Sequence, residues 1–303
     1  MLVSIVIPTY NARAFLPDAL ESALAQTYTN CEIIIIDDGS TDGTGDLVAE
    51  CYGERVRYVF QANGGASDAR NHGLRVARGE LVQLLDADDV LHPEKVARGV
   101  AIFEQQPETV LVYTDYDEML VDGHTVIPTE HPIRPGGDVL CTLYRDNVVA
   151  HSTVLMRRQA ALDVGGYDTN LVIGEDWDLW LRLAAHGHTF HYIPERLVRY
   201  RQTPGGLHTD RVHMSEQRLA VIQKARHYPR RAHCLDDAAY DRMESGRWHR
   251  LALAYWEVER RAAARRALRA AIALHPSLLR RVYIWLSYVL PMHMATRLGR
   301  LKG

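Results

Sequence analysis

Four consecutive isoleucines, Ile33 to Ile36, limit the folds open to this chain. A strand with one wet face alternates apolar and polar residues, whereas a strand covered on both faces is apolar throughout, as the strands of parallel sheets are. The run ends in Asp37-Asp38-Gly39-Ser40-Thr41-Asp42, a string of turn formers. Upstream, Val3 to Ile7 reads as a short strand closed by Pro8-Thr9-Tyr10-Asn11. Between the two, Phe15, Leu16, Ala19, Leu20, Ala23 and Leu24 share one helical face. Another helix and strand follow, and then the loop Gln61-Ala62-Asn63-Gly64-Gly65. Strand, loop and helix recur, which predicts a doubly wound α/β sheet. Ligands of such sheets bind beyond the carboxyl ends of the strands. Thr9-Tyr10, Asp37-Asp38 and Asp86 to Asp88 fall at those ends.

Residues 84 to 89 read Leu-Leu-Asp-Ala-Asp-Asp, three carboxylates in four positions directly after an apolar run. Neighbouring anions repel, and each loses solvation near a buried strand. A solvated turn with a helix N-cap is one account of the cluster. A divalent cation is the other, because Mg²⁺ and Mn²⁺ take carboxylate oxygens and share their remaining positions with water and phosphate. Gly64-Gly65 permits close backbone approach to a ligand, and Gly73 is expected to serve packing.

The strings IVIPTYNA, IIIIDDGSTDGT, QANGGASDARNHG, LLDADD and GEDWDLWLRLA occur in this order. Together they resemble the family-2 inverting glycosyltransferases of the GT-A fold, over roughly residues 1 to 205. The resemblance implies a Rossmann-like mixed sheet flanked by helices, a nucleotide-diphosphate sugar donor with a UDP-sugar as the first expectation, and a Mn²⁺ or Mg²⁺ cofactor. It implies that Asp38 accepts from the N3–H of uracil, a donor a carboxylate can recognise. A dTDP-sugar would present the same group. One of Asp37 and Asp38 is expected to form the strand-end turn. Pro8, Thr9, Tyr10, Asn63 and Gly65 would line the nucleotide site, with Tyr10 stacking on the base. Arg70 would reach the base or the diphosphate, where a guanidinium fork suits phosphate, or else form a structural pair with an Asp. Asp88 would be the direct metal ligand. Asp86 would hold the ribose hydroxyls or the metal, and Asp89 would cap a helix near Pro93. Asp176 would be the catalytic base, taking the proton of the acceptor hydroxyl. Trp177 and Trp180 are read as a sugar platform or as core, with core favoured for Trp180.

One departure concerns the third metal ligand. Family members often carry a His two residues after the Arg of a Tyr-Arg pair, whereas Gln202 and Thr203 follow Tyr200-Arg201 here. His208 is the remaining candidate ligand, and Arg201 or Arg199 the candidate for the diphosphate.

The domain reading is a catalytic unit over 1–205, with a nucleotide half to about 90 and an acceptor half beyond it, then a helical extension over 206–303. Expected in the acceptor half are strands at Thr109–Tyr113 and Val154–Met156, a helix at Asp176–His186 and a loop through Pro132 and Pro135-Gly136-Gly137. Thr203-Pro204-Gly205-Gly206 marks the boundary. The extension contains 19 Lys/Arg and 7 Asp/Glu over residues 211–303, against a chain net charge of −3. Those cations sit in amphipathic helical segments rather than a flexible arm, so no nucleic-acid partner is expected. Leu251–Trp256 and Ala262–Leu274 resemble one helical hairpin of the tetratricopeptide type. Residues 282–294 are apolar and aromatic between basic flanks, too short to span a bilayer. They suggest peripheral contact with an anionic membrane face, or a contact within a homodimer. Four scattered cysteines and a five-residue apolar N-terminal run that stops at Pro8 point to free thiols and a cytoplasmic protein without a secretory leader. The acceptor expected is a glycan or lipid-linked sugar in surface polysaccharide synthesis. The competing readings are a catalytically silent glycan-binding subunit and a nucleotidyltransferase; the latter would carry a Gly-rich, Lys-containing N-terminal loop that this sequence lacks.

Overall fold

The computed structural model describes residues 1–129, 134–203 and 210–275. The chain divides into two compact units, Met1–Gly206 and Leu207–Gly303. The first runs β1 (Val3–Thr9), α1 (Leu16–Leu24), β2 (Cys31–Asp37), α2 (Thr44–Cys51), β3 (Arg57–Phe60), α3 (Ala66–Val76), β4 (Leu81–Leu84), β5 (Val90–Leu91), α4 (Lys95–Gln105), β6 (Thr109–Leu120), β7 (Val126–Ile127), α5 (Leu140–Arg145), β8 (Leu155–Arg157), α6 (Arg158–Asp163), α7 (Glu175–Ala185) and β9 (Thr189–Gln202). Among the described residues these strands form one mixed sheet in the order β3-β2-β1-β4-β8-β6-β9-β5, with β7 on β6.

The first four strands are parallel. The isoleucine run is the reason: Ile34, Ile35 and Ile36 are fully buried, covered on both faces. Pro8 sits within β1 without cost to the ladder, because β4 pairs only as far as Val6 with Leu84. Helix α1 starts with Pro17 in its first turn, where a missing N–H is harmless. It buries Leu16, Ala19, Leu20 and Ala23. A Cβ on Gly73 would stand 2.3 Å from Val6 Cγ1, so this glycine lets α3 lie against β1, as its sequence position suggested.

Strand β8 then enters antiparallel between β4 and β6, and its register sets Gln83 opposite Leu155. The 3-10 turn His151–Thr153 therefore lies beside the end of β4. Two strands exceed what the sequence indicated. The expected strand at Thr109–Tyr113 continues to Leu120, because β9 supplies a parallel partner along its whole length. Strand β9 itself was not anticipated, since Pro194 interrupts its pattern. The ladder solves this with a register shift, pairing Thr114 with Ile193 and Asp115 with Arg196, which leaves Pro194 unpaired in a bulge.

Lys95 is the outlying buried charge of this unit. It is fully buried, and its ammonium donates to Gln83 Oε1 at 3.0 Å. Burial pushes its pKa down to about 7. The unfolded amine keeps its proton up to about 10.4, so between these values the unfolded state binds more protons and stability rises with pH. The expected gain is about 1–2 kcal/mol in urea stability between about pH 7 and pH 9, and Lys95→Met should flatten that slope. Equal slopes for the two proteins would show that the amine stays charged in the fold.

The second unit is helical: α8 (Arg211–Ala225), α9 (Arg231–Cys234), α10 (Asp237–Glu257) and α11 (Arg261–Leu274). Asp210 and Asp236 cap α8 and α10. Helices α10 and α11 make a hairpin in which Leu251, Ala252, Ala267 and Leu268 pack together with Leu219 of α8. No described helix is long and apolar enough to cross a membrane. His208 and the aromatic segment 282–294 lie outside the described residues. The free-thiol reading holds for Cys31 and Cys51; Cys141 and Cys234 are not free.

Candidate active site

The carboxyl ends of β1, β2 and β4 bring three loops together. After β2, the adjacent acids divide the work. Asp37 makes the turn, accepting from Ser40 N at 2.7 Å and from the Tyr58 hydroxyl at 2.5 Å. Asp38 reaches across to the next loop. Its Oδ1 accepts from Gln61 Nε2 at 2.7 Å and Gly64 N at 2.8 Å, and its Oδ2 from Gly65 N at 2.8 Å. Gly65 can turn its N–H there because it holds φ at +89°. Three donors occupy two oxygens, so Oδ2 keeps acceptor capacity for a ligand N–H. Thr9 is buried, and its carbonyl accepts from Asp38 N at 2.8 Å, while Tyr10 projects from the end of β1 with 55% of its surface exposed. Asn63 is exposed on the loop that Asp38 anchors, and its backbone N would be 3.0 Å from a Cβ on Gly39.

The acidic turn after β4 is held from three remote segments. Ser152 accepts from Asp86 N at 3.1 Å and donates to Asp89 Oδ2 at 2.5 Å. Asp89 Oδ1 accepts from Arg201 N at 2.9 Å, because β5 pairs with β9 at Val90 and Arg199. Asp89 is therefore a buried tie between turn and sheet rather than the helix cap read from the sequence. Arg201 is also buried, and its guanidinium donates to the Asp88 carbonyl (2.8 Å), the Val121 carbonyl (3.1 Å) and Asp18 Oδ2 (2.6 Å). These bonds give Arg201 a positioning role under Asp88, where the sequence suggested a diphosphate contact. Arg199 is exposed.

Arg70 joins the turn to the other side of the site. From α3 it donates to Asp86 Oδ1 at 2.9 Å and to Glu175 Oε1 at 2.5 Å, and Tyr167 lies 5.6 Å under the guanidinium. Its Nε has no hydrogen-bond partner among the described residues. His151 Nδ1 lies 3.2 Å from Asp86 Oδ1 without hydrogen-bond alignment, and its Nε2 is 2.9 Å from the Tyr167 hydroxyl. Burial alone would raise the Asp86 pKa, but His151 and Arg70 hold it well below the carboxylate range. Asp88 has no such partner: burial, then the Asp86 charge, push it up to about 6 against Arg201 and Thr203. Burial also raises Glu175, opposed by Arg70.

Asp176 follows Glu175 in the first turn of α7, entered through Gly174 at φ +79°. Its Oδ2 accepts from Asn147 Nδ2 at 3.0 Å, and its Oδ1 accepts from Trp177 N at 2.6 Å. Trp177 and Trp180 are both core, and Trp177 donates its indole N–H to the Leu143 carbonyl at 2.8 Å. Neither is a sugar platform. His151, Tyr167, Ser152 and Asn147 are site residues that the sequence did not signal, each a single polar residue without a surrounding pattern.

Among the described residues no three His, Cys, Asp or Glu side chains form a metal cage. Asp86 Oδ1 is committed to Arg70 and neighbours His151, burial and the neighbouring acids push up both Asp88 and Asp89, and Asp89 is tied to Ser152 and Arg201 N, which leaves Asp88 as the less buried carboxylate of the turn without such a tie. One or two carboxylates completed by substrate phosphates and water is the usual Mg²⁺ arrangement with nucleotides, and the acidic turn fits it.

The model of the family described as glycosyl transferase family 2 matches residues 4–165. The putative teichuronic acid biosynthesis glycosyltransferase TuaG of Bacillus subtilis is 32% identical over 203 residues, covering 66% of this chain and 79% of that protein. An uncharacterized glycosyltransferase of Rickettsia typhi is 32% identical over 185 residues, covering 60% of this chain and 58% of its own length. The match thus spans little more than half of the Rickettsia protein. The crystal structure of S. aureus TarS 1–349 in complex with UDP superposes with a TM-score of 0.65 over 95% of this chain and 87% of that one, at 18% identity. The mannosyltransferase PcManGT from Pyrobaculum calidifontis in complex with GDP-Man and Mn²⁺ does so with a TM-score of 0.60 over 99% of this chain and 87% of that one, at 20% identity. At these identities the likeness is one of fold.

Proposed function

Because the chain belongs to the family-2 glycosyltransferases and has the GT-A fold, we propose that it moves a sugar, with inversion, from a nucleotide-diphosphate donor to a hydroxyl of a glycan or lipid-linked acceptor in surface polysaccharide synthesis. The observation that carries this reading is Arg70, which bonds Asp86 in the acidic turn after β4 and Glu175 in the first turn of α7, the elements that carry Asp88 and Asp176, and this supports their belonging to one site. Support for the donor class comes from the proteins of like fold, TarS in complex with UDP and PcManGT in complex with GDP-Man.

The proposed roles follow from the geometry. The spare acceptor capacity of Asp38 Oδ2 suits a uracil or thymine N3–H, and exposed Tyr10 offers its ring to the base. Asp88 would hold the Mn²⁺ or Mg²⁺ ion with help from Asp86. That ion would neutralise charge on the departing diphosphate. Asp176 receives the proton of the acceptor hydroxyl while its oxygen bonds to the anomeric carbon and the bond from that carbon to the diphosphate breaks. Asn147 orients the carboxylate for that transfer, and Arg201 fixes the Asp88 backbone. Glu175 is held by Arg70 and is a positioning residue.

The testing experiment is a screen of UDP-, dTDP- and GDP-sugars for donor hydrolysis, with and without Mn²⁺. The reading expects turnover of at least one uridine or thymidine donor, and strong loss with a chelator. Binding of nucleotide sugars with no hydrolysis or transfer would instead favour the silent binding subunit.

A further inference from the structure

The helical unit holds a constellation that catalysis does not use. Arg211, Met214, Ser215 and Arg218 lie on one face of α8, and Arg247 and Arg250 stand one turn apart on α10. These six residues line one cavity of about 190 Å³, roughly six times the share of one water in the liquid. Its lining contains four guanidinium groups and no carboxylate. Arg247 is buried at 5% exposure. Arg211 pairs with Glu257 at 2.8 Å. Arg218 and Arg250 make no hydrogen bond or ion pair with any described residue.

Two arginines elsewhere in the unit are matched. Arg226 pairs with Asp241 and Glu244, and Arg231 with Asp237. Arg218 and Arg250 thus bring positive charge to this cavity without a described carboxylate partner. Like charges facing one another across packed helices repel, and an anion between them removes that cost. Ser215 gives its hydroxyl proton to the Arg211 carbonyl at 2.8 Å, so the donors available to an anion are guanidinium groups. Their planar forks match phosphate oxygens two at a time.

We propose that this cavity binds a phosphate or diphosphate group, at a site separate from the one that holds the nucleotide donor. The inference rests on the helical unit alone and stands or falls independently of the catalytic reading. The test is calorimetric titration of the full chain with inorganic diphosphate in the absence of divalent metal. Wild type should bind with an affinity that falls as ionic strength rises. The double variant Arg218→Gln/Arg250→Gln should lose roughly tenfold or more, the scale of two charge-assisted contacts. Arg218→Lys/Arg250→Lys keeps the charge and loses the forks, and should fall between them. It serves as the readout if the glutamine variant loses helical circular dichroism. Flotation with vesicles of phosphatidic acid in phosphatidylcholine identifies the source. Arginine-dependent flotation assigns the group to a lipid headgroup, and diphosphate binding without flotation assigns it to a soluble phosphate. No binding in either assay, or equal binding by wild type and both variants, overturns the proposal, the latter because diphosphate is then held at the donor site.

Discussion

Replacing Asp176 by Asn is expected to lower turnover by roughly 10²–10⁴-fold while leaving UDP affinity close to wild type, the usual scale for loss of a general base. The separation follows from the structure. Asp176 lies in the first turn of α7 and, among the described residues, bonds Asn147 and its own neighbour Trp177, whereas the proposed nucleotide contacts come from β1, β2 and the loop that Asp38 anchors. An amide can keep the Asn147 contact through its oxygen, so the helix should not unravel. Calorimetric titration with UDP, alongside steady-state kinetics on the donor found by screening, reads both quantities. A parallel loss of UDP binding would move Asp176 from the reacting atoms to the donor site. Asn147→Ala should reproduce part of the effect, in kcat rather than in KM, because it removes only the residue that orients the carboxylate.

Asp88→Asn is the second large effect. Metal-dependent turnover should drop by on the order of 10² or more, since several kcal/mol of charge stabilisation on the leaving diphosphate would be lost. The stability of the metal-free protein should move the other way. The Asp88 carboxyl is pushed up to about 6 by burial and by Asp86. An acid whose folded pKa is raised destabilises the fold above its unfolded value near 3.9, and the cost is complete once pH exceeds the folded value. Removing that charge at neutral pH should therefore stabilise the chain by about 1–2 kcal/mol, after allowance for partial solvent screening. Thermal melts without metal, paired with activity against Mn²⁺ concentration, test both halves. An active variant refutes the ligand assignment. A variant that is inactive because its melting temperature collapses shows that Asp88 is structural.

Much of this protein was legible in its sequence because the signals are local. The isoleucine run, its acidic end and the recurring strand-loop-helix order fixed a parallel sheet, and the strand ends located Asp38, Asp86 and Asp88. The helix beginning at Glu175 was readable from its own apolar pattern. What could not be read is who bonds whom. Arg70 meets Glu175 across 105 residues and Arg201 meets Asp88 across 113. His151 reaches Asp86 only because antiparallel β8 begins where β4 ends. Strand β9 became a strand through its pairing with β6, despite Pro194 and its charged positions. The chain's own propensities thus chose the elements and set acids at their ends. The tertiary pairing decided which charges are neutralised, turning Arg201 and Asp89 into supports and leaving Asp88 the carboxylate of the turn without a close tie, because electrostatic interaction depends on distance in space and on burial, and neither is encoded by a residue's immediate neighbours.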